Sequence, residues 1–137
     1  MKSFRTFIMQ DAMSIIIEEI SKEQLKEIEK FADRLFAAVG VDIEFTKHFH
    51  DRVNDTRNNK PINQAELIRL WRQTYKQHGK KIPQLGKDAE AVIHDMKTNI
   101  NIPFVLKWDE KSQELDLISK TVMRKKDFKS KDKELKV

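Results

Sequence analysis

The chain has no cysteine. Disulfides and thiolate metal sites are therefore excluded, as a reducing compartment permits, and stability must come from packing. Glycine and proline are scarce, with three of each in 137 residues. That composition rules out collagen-like and Gly/Pro-rich disordered chains. No run of about 18 apolar residues occurs, so no membrane-spanning helix is expected. The N-terminus lacks a long apolar stretch followed by a small-residue cleavage site, so no secretory signal is expected either. The four histidines show no HExxH or HxxEH spacing, and neither a metal site nor a cofactor is expected.

Charge is what the chain has in quantity. Charged residues make up 36% and hydrophobic residues 39%, with a net charge of +5. The length suits one domain with a moderate core. The charge is unevenly spread. Residues 1–45 carry six Lys+Arg against nine Asp+Glu, and residues 46–137 carry 21 against 13. A mildly acidic front thus precedes a basic body, and a polyanionic partner on the later two-thirds is expected. A merely solvated lysine-rich surface is the plainer alternative.

Apolar spacing predicts the elements. Phe4, Phe7, Ile8, Met13, Ile16, Ile17 and Ile20 form a first stripe, helical in its later part. Ser21 reads as the N-cap of a second helix, with Glu23 or Gln24 near the capping-box position. Leu25, Ile28, Ala32, Leu35 and Val39 recur in steps of three and four, and Gly40 suits the C-terminus. Such a seam packs either on the chain's own sheet or on a partner helix. Val41, Ile43 and Phe45 alternate with Asp42 and Glu44, as in a strand. After Asn58–Pro61, a turn, Asn63 caps a helix over about 64–78 with Leu67, Ile68, Trp71 and Tyr75 on its apolar face. From residue 89 the period falls to two. Strands are expected near 89–96, 101–108 and 114–123, as an antiparallel meander. The tail from Arg124 holds seven Lys+Arg against three acids, and reads as a basic arm or a short strand near Phe128. Helices gathered on an antiparallel sheet make an α+β domain.

The chemistry concentrates in Phe45–Arg57, FTKHFHDRVNDTR. Thr46 reads as an N-cap. Phe49 and Val53 are then four apart on the buried face of a short helix, and His48 and Arg52 are four apart on a neighbouring one. His50 and Arg57 are seven apart, on a similar side if the helix runs on for two turns. Imidazole moves protons near neutral pH. Guanidinium grips phosphate with a planar fork. The set suits metal-free RNA cleavage, and equally plain phosphate binding. A salt-bridged surface, with Asp51 or Asp55 on the arginines, is the bland reading. His94 reads as structural, Trp71 and Tyr75 as core, and Trp108 as the better base-stacking candidate.

The segments FTKHFHDRVNDTRNNKPI, INQAELIRLWRQTYKQ and PFVLKWDEKSQELDLISKTVMRKKDF resemble the RelE/ParE-type toxins. They also resemble the wider barnase/EndoU/colicin/RelE-like nuclease class, notably its phage-encoded branch. The resemblance spans about residues 41–128, with 1–40 as a helical extension and 129–137 as a basic tail. It implies a RelE/ParE-like α+β fold and metal-independent RNA cleavage, with RNA more than DNA as the partner. By that resemblance His48, Arg52 and Thr121 form the catalytic set. His50, Arg57, Lys120, Arg124 and Lys125 bind the nucleic acid, and Ser119 lies on the same late strand. The opening MKSFRTFI resembles the first residues of many tailed-phage proteins. It implies a protein of the host-cell cytoplasm or the virion, with phage structural proteins or self-association through the N-terminal helices as further partners. The alternative function is a non-catalytic virion component or nucleic-acid-binding module.

Overall fold

The computed structural model describes residues 19–137. The apolar stripe at 4–20 and the MKSFRTFI opening fall outside the described residues, apart from Ile20, which is buried. Helix α1 is Lys22–Phe36, strand β1 Val41–Phe45, helix α2 Lys47–Val53 and helix α3 Gln64–His78. Strands β2 (Glu90–His94), β3 (Ile100–Asp109), β4 (Glu114–Ser119), β5 (Met123–Arg124) and β6 (Lys133–Lys136) follow. The class is α+β. Among the described residues, no helix is long and apolar enough to cross a membrane.

The helix starts carry their expected caps. Ser21 Oγ accepts from Gln24 N–H while Gln24 returns a bond to Ser21 N–H, so Gln24 completes the capping box. Asn63 and Glu66 do the same for α3. Gly40 ends the α1 region at φ 73°, where a side chain would strain. The buried face of α1 is Leu25, Ile28, Ala32 and Phe36. Phe36 replaces Leu35 and Val39 at the end of the expected seam, and those two are only partly buried. The α1 side chains share one core with α3 and the sheet. Each fully buried Leu or Ile there stabilises by about 1.5–3 kcal/mol.

The sheet departs from expectation. Its order is β1-β4-β3-β2-β6, and β2-β3-β4 form the anticipated antiparallel meander. Two flanking strands are parallel, however: β1 on β4 and β6 on β2. The sheet is therefore mixed, not antiparallel. A long connection separates each strand from its parallel neighbour, which is what parallel pairing requires. The tail expected at 129–137 contains β6, anchored by buried Leu135.

The last expected strand, 114–123, is broken. Phe104 pairs with Ser119, but Asn101 pairs with Met123. Three steps on β3 thus face four on the other chain, which is a bulge. It lies beside Pro103, which has no N–H to donate. Lys120 N–H still donates to Pro103 O, and the bulge sets Thr121 and Val122 against Ile102.

The exposed edge of β1 is covered from within. Asp33 and Glu29 of α1 accept the N–H groups of Ile43 and Phe45. Unpaired edge donors, open templates for aggregation, are thereby satisfied.

Candidate functional site

Three features set the orientation of α2. Phe49 is buried and stacks on Phe45 with ring centroids 4.2 Å apart. Val53 is buried one turn later. Thr46 caps the helix by accepting Phe49 N–H, and its own hydroxyl donates to Lys120 O at 2.9 Å. Thr46 N–H also donates to Ser119 O. The start of α2 is thus fastened to the end of β4. With Phe49 and Val53 inward, His48 and Arg52 face away from the core.

Between α2 and the chain after β4 lies a cleft of about 720 Å³. One wall holds His48, Arg52, Asp55, Arg57, Asn58 and Asn59, and the other holds Thr121–Lys126 with Asn99. Of the eight expected site residues, His48, Arg52, Arg57, Thr121, Arg124 and Lys125 therefore line one cavity. His50 and Lys120 do not. His50 is two residues from His48, about 200° around the helix. Lys120 lies just before the bulge, its N–H on Pro103 O, and pairs with Glu90 at 2.6 Å. Arg57 reaches the cleft by another route than expected. The helix ends at Val53, and Arg57 lies in a separate 3-10 turn, Thr56–Asn58.

Asn58 joins the two walls. It is buried, its amide donates to Arg52 O and Val53 O, and its oxygen accepts Arg124 N–H at 3.0 Å. Asn101, fully buried, donates to the carbonyls of Asn99, Met123 and Lys125 and holds the far wall to β3. Lys125 N–H donates to Asn99 O. Asn99 itself takes φ 62° in the β2–β3 turn, a conformation asparagine tolerates.

The cations of the cleft are not equivalent. Arg124 is committed to the scaffold. Its guanidinium donates to Lys60 O, Pro61 O and Thr98 O and to both carboxylate oxygens of Glu66. All five donors are used, so the expected phosphate contact from this guanidinium has no donor left. Burial pushes the Glu66 carboxyl up, but hydrogen bonds from Arg124 and the Asn63 backbone, with the charge of Arg124, outweigh it and hold the carboxyl below its ordinary range. Lys125 and Lys126 are exposed, and no side-chain partner holds either among the described residues.

His48, Arg52, Asp55 and Arg57 form a chain. Arg52 Nε–H donates to His48 Nε2 at 3.3 Å, and Arg52 Nη1 donates to Asp55 at 2.9 Å. Arg57 donates to the same carboxylate through Nε and Nη2. Arginine has no acceptor, so this bond requires the lone pair of His48 Nε2 and fits the ring form that carries its proton on Nδ1. Asp55, Asn58, Asn59, Asn99 and Lys126 are cleft residues not expected from the sequence as site residues. Lys126 lies in the run MRKKDF, Asn58 and Asn59 read only as part of a turn, and Asn99 carries no reading.

Trp108, exposed at 43%, lines a different groove with Val39, Pro83 and Leu115. His94 is buried, with Nδ1 3.3 Å from Glu134. Asp42, Glu44 and Asp116 bring carboxylate oxygens within 4.8 Å of one another. They lie on paired β1 and β4, and none lines the cleft. Burial, with Asp116 alongside, pushes Glu44 up to about 7.

The chain matches no protein-family model, no curated protein and no solved structure.

Proposed function

We propose that the cleft binds RNA and that His48 and Arg52 cleave its phosphodiester bonds without a metal ion. The carrying observation is the convergence of His48 and Arg52 with Thr121 and Lys125, from segments about 70 residues apart, on one cavity of about 720 Å³. That volume accommodates a nucleotide-sized ligand. On this reading an incoming phosphate draws the Arg52 guanidinium toward itself. His48 Nε2 is then free to take the proton of a ribose 2′-hydroxyl, whose oxygen bonds to phosphorus as the P–O5′ bond breaks; the leaving 5′-oxygen takes a proton from water, and a 2′,3′-cyclic phosphate remains. Arg52 and Lys125 stabilise the charge that builds on the phosphate. The Thr121 hydroxyl donates to a non-bridging oxygen. The donor set of the cleft favours this route. Among the described residues Asp55 is the one carboxylate lining it, and two arginines engage that group. These roles are the ones the RelE-like resemblance assigns to His48, Arg52 and Thr121.

A specific observation favours the non-catalytic alternative. The cations nearest His48 are already paired within the protein, which suits a module that grips backbone phosphate without chemistry. One experiment separates the two. Labelled RNA is incubated with wild type, His48→Ala and Arg52→Ala in EDTA, and affinity is measured alongside. Catalysis requires His48→Ala to lower cleavage by about 10²–10⁴-fold with affinity nearly unchanged. Arg52→Ala lowers both. Binding by pure wild type without cleavage leaves the binding module.

A further inference from the structure

Asp55 is placed where an anionic ligand of the cleft would be. Among the described residues its carboxylate is the only one lining the cavity, and its side chain is 22% exposed. It receives Arg52 Nη1 at 2.9 Å, Arg57 Nη2 at 3.0 Å and Arg57 Nε at 3.2 Å. Arg57 N–H adds a backbone donor at 2.8 Å. Four donors on one carboxylate, two of them from a guanidinium fork, make the arrangement a phosphate takes from arginines. Neither arginine is buried, at 34% and 72% exposure. Both remain able to turn to a ligand.

We infer that Asp55 is an internal anion that holds Arg52 and Arg57 in the phosphate subsite of the free protein and, through Arg52, fixes the tautomer of His48. Two opposite effects follow. The carboxylate competes with the ligand for the two guanidiniums, so it weakens binding. It also anchors the Arg52 side chain that donates to His48 Nε2, so it prepares the imidazole. Asp55 is in this sense a positioning residue, acting on His48 through Arg52. The tautomer and binding effects need only the geometry. The effect on turnover rests on the ribonuclease reading.

The test uses the full chain with Asp55→Asn and Asp55→Ala. Asparagine is as good a cap as aspartate, so D55N retains the turn at Thr56–Asn58, and thermal melting verifies this. Binding is measured to a 2′-deoxy oligonucleotide, which has no 2′-hydroxyl nucleophile and is not cleaved. D55N should bind it about 3- to 10-fold more tightly, because one negative charge leaves the subsite. The His48 tautomer is read from imidazole ¹⁵N shifts. Wild type should show the Nδ1-protonated form, and both variants should shift toward the Nε2-protonated form. Cleavage of the matching RNA in EDTA should show a lower kcat with an unchanged or lower KM. A folded D55N that binds equally or more weakly overturns the inference. So does a wild-type His48 protonated on Nε2. Absence of RNA cleavage by wild type refutes the ribonuclease reading and leaves the binding and ¹⁵N results to decide the role of Asp55.

Discussion

Asn58 holds the cleft together, and its removal has a calculable cost. Asn58→Ala leaves three backbone groups without the amide: Arg52 O, Val53 O and Arg124 N–H. Arg52 O keeps Asp55 N–H at 3.0 Å, so its loss is partial. Among the described residues Val53 O and Arg124 N–H have no second partner of that kind, and a buried unsatisfied group costs about 1–3 kcal/mol. The expected loss is therefore about 2–6 kcal/mol. At roughly 3–5 °C per kcal/mol for a domain of this size, Tm falls by about 6–30 °C. Asn58→Asp provides a control of opposite chemistry. It keeps the acceptor for Arg124 N–H but turns a second oxygen toward the Arg52 and Val53 carbonyls. At pH 7 it should be at least as damaging as alanine. Below about pH 4 its carboxyl takes a proton and can donate again, so part of the loss should return. Differential scanning calorimetry at pH 7 and pH 4 measures both. An N58A protein melting within about 3 °C of wild type would refute the reasoning.

Further outcomes follow from the same bonds. Arg124→Lys should cost about 2–4 kcal/mol in urea unfolding, since an ammonium cannot replace a five-donor fork at Glu66 and three carbonyls. Leu135→Ala should cost about 2–3 kcal/mol and raise hydrogen exchange at Ala91–His94, because buried Leu135 anchors the edge strand on β2. Burial, with Asp42 and Glu29 nearby, pushes Asp33 up from 3.8 to about 7 despite the Ile43 N–H bond. The folded state then binds more protons than the unfolded one between those values, so this contribution to stability is full below about pH 4 and is lost as pH rises toward 7. Asp33→Asn, which keeps the acceptor for Ile43 N–H, should flatten that part of the stability–pH curve, and an unchanged slope counts against the assignment.

The sequence was most legible where one residue type has one job. Thr46, Ser21 and Asn63 read as caps because a hydroxyl or amide before an apolar-periodic run has few other uses, and all three cap helices. Phe49 and Val53 read as inward, and that orientation alone turns His48 and Arg52 outward. Legibility failed where the partner is distant. Nothing local in the run MRKKDF distinguishes Arg124 from Lys125. Their roles diverge because Glu66 and the carbonyls of Lys60, Pro61 and Thr98 stand around one and not the other. The parallel pairing of β6 was hidden for the same reason. One apolar residue, Leu135, carries the strand, and its burial depends on β2 more than 40 residues earlier.

The bulge beside Pro103 connects fold to site. A regular continuation of β4 would keep residues 120–124 in strict alternation beside β3. The extra residue breaks that alternation. Lys120 pairs with Glu90, Thr121 lines the cleft, Val122 is buried at 1% exposure, and Arg124 is delivered to Glu66. A basic side chain, a hydroxyl, an apolar anchor and a structural arginine thus take four separate directions within five residues. Lys120, still in register through its N–H on Pro103 O, offers its own carbonyl to the Thr46 hydroxyl, a bond that holds α2 and His48 opposite Thr121. The missing N–H of Pro103 leaves Lys120 O unclaimed by the ladder and open to the Thr46 hydroxyl. The geometry of the cleft therefore depends on a residue outside it that has no chemistry to offer a ligand.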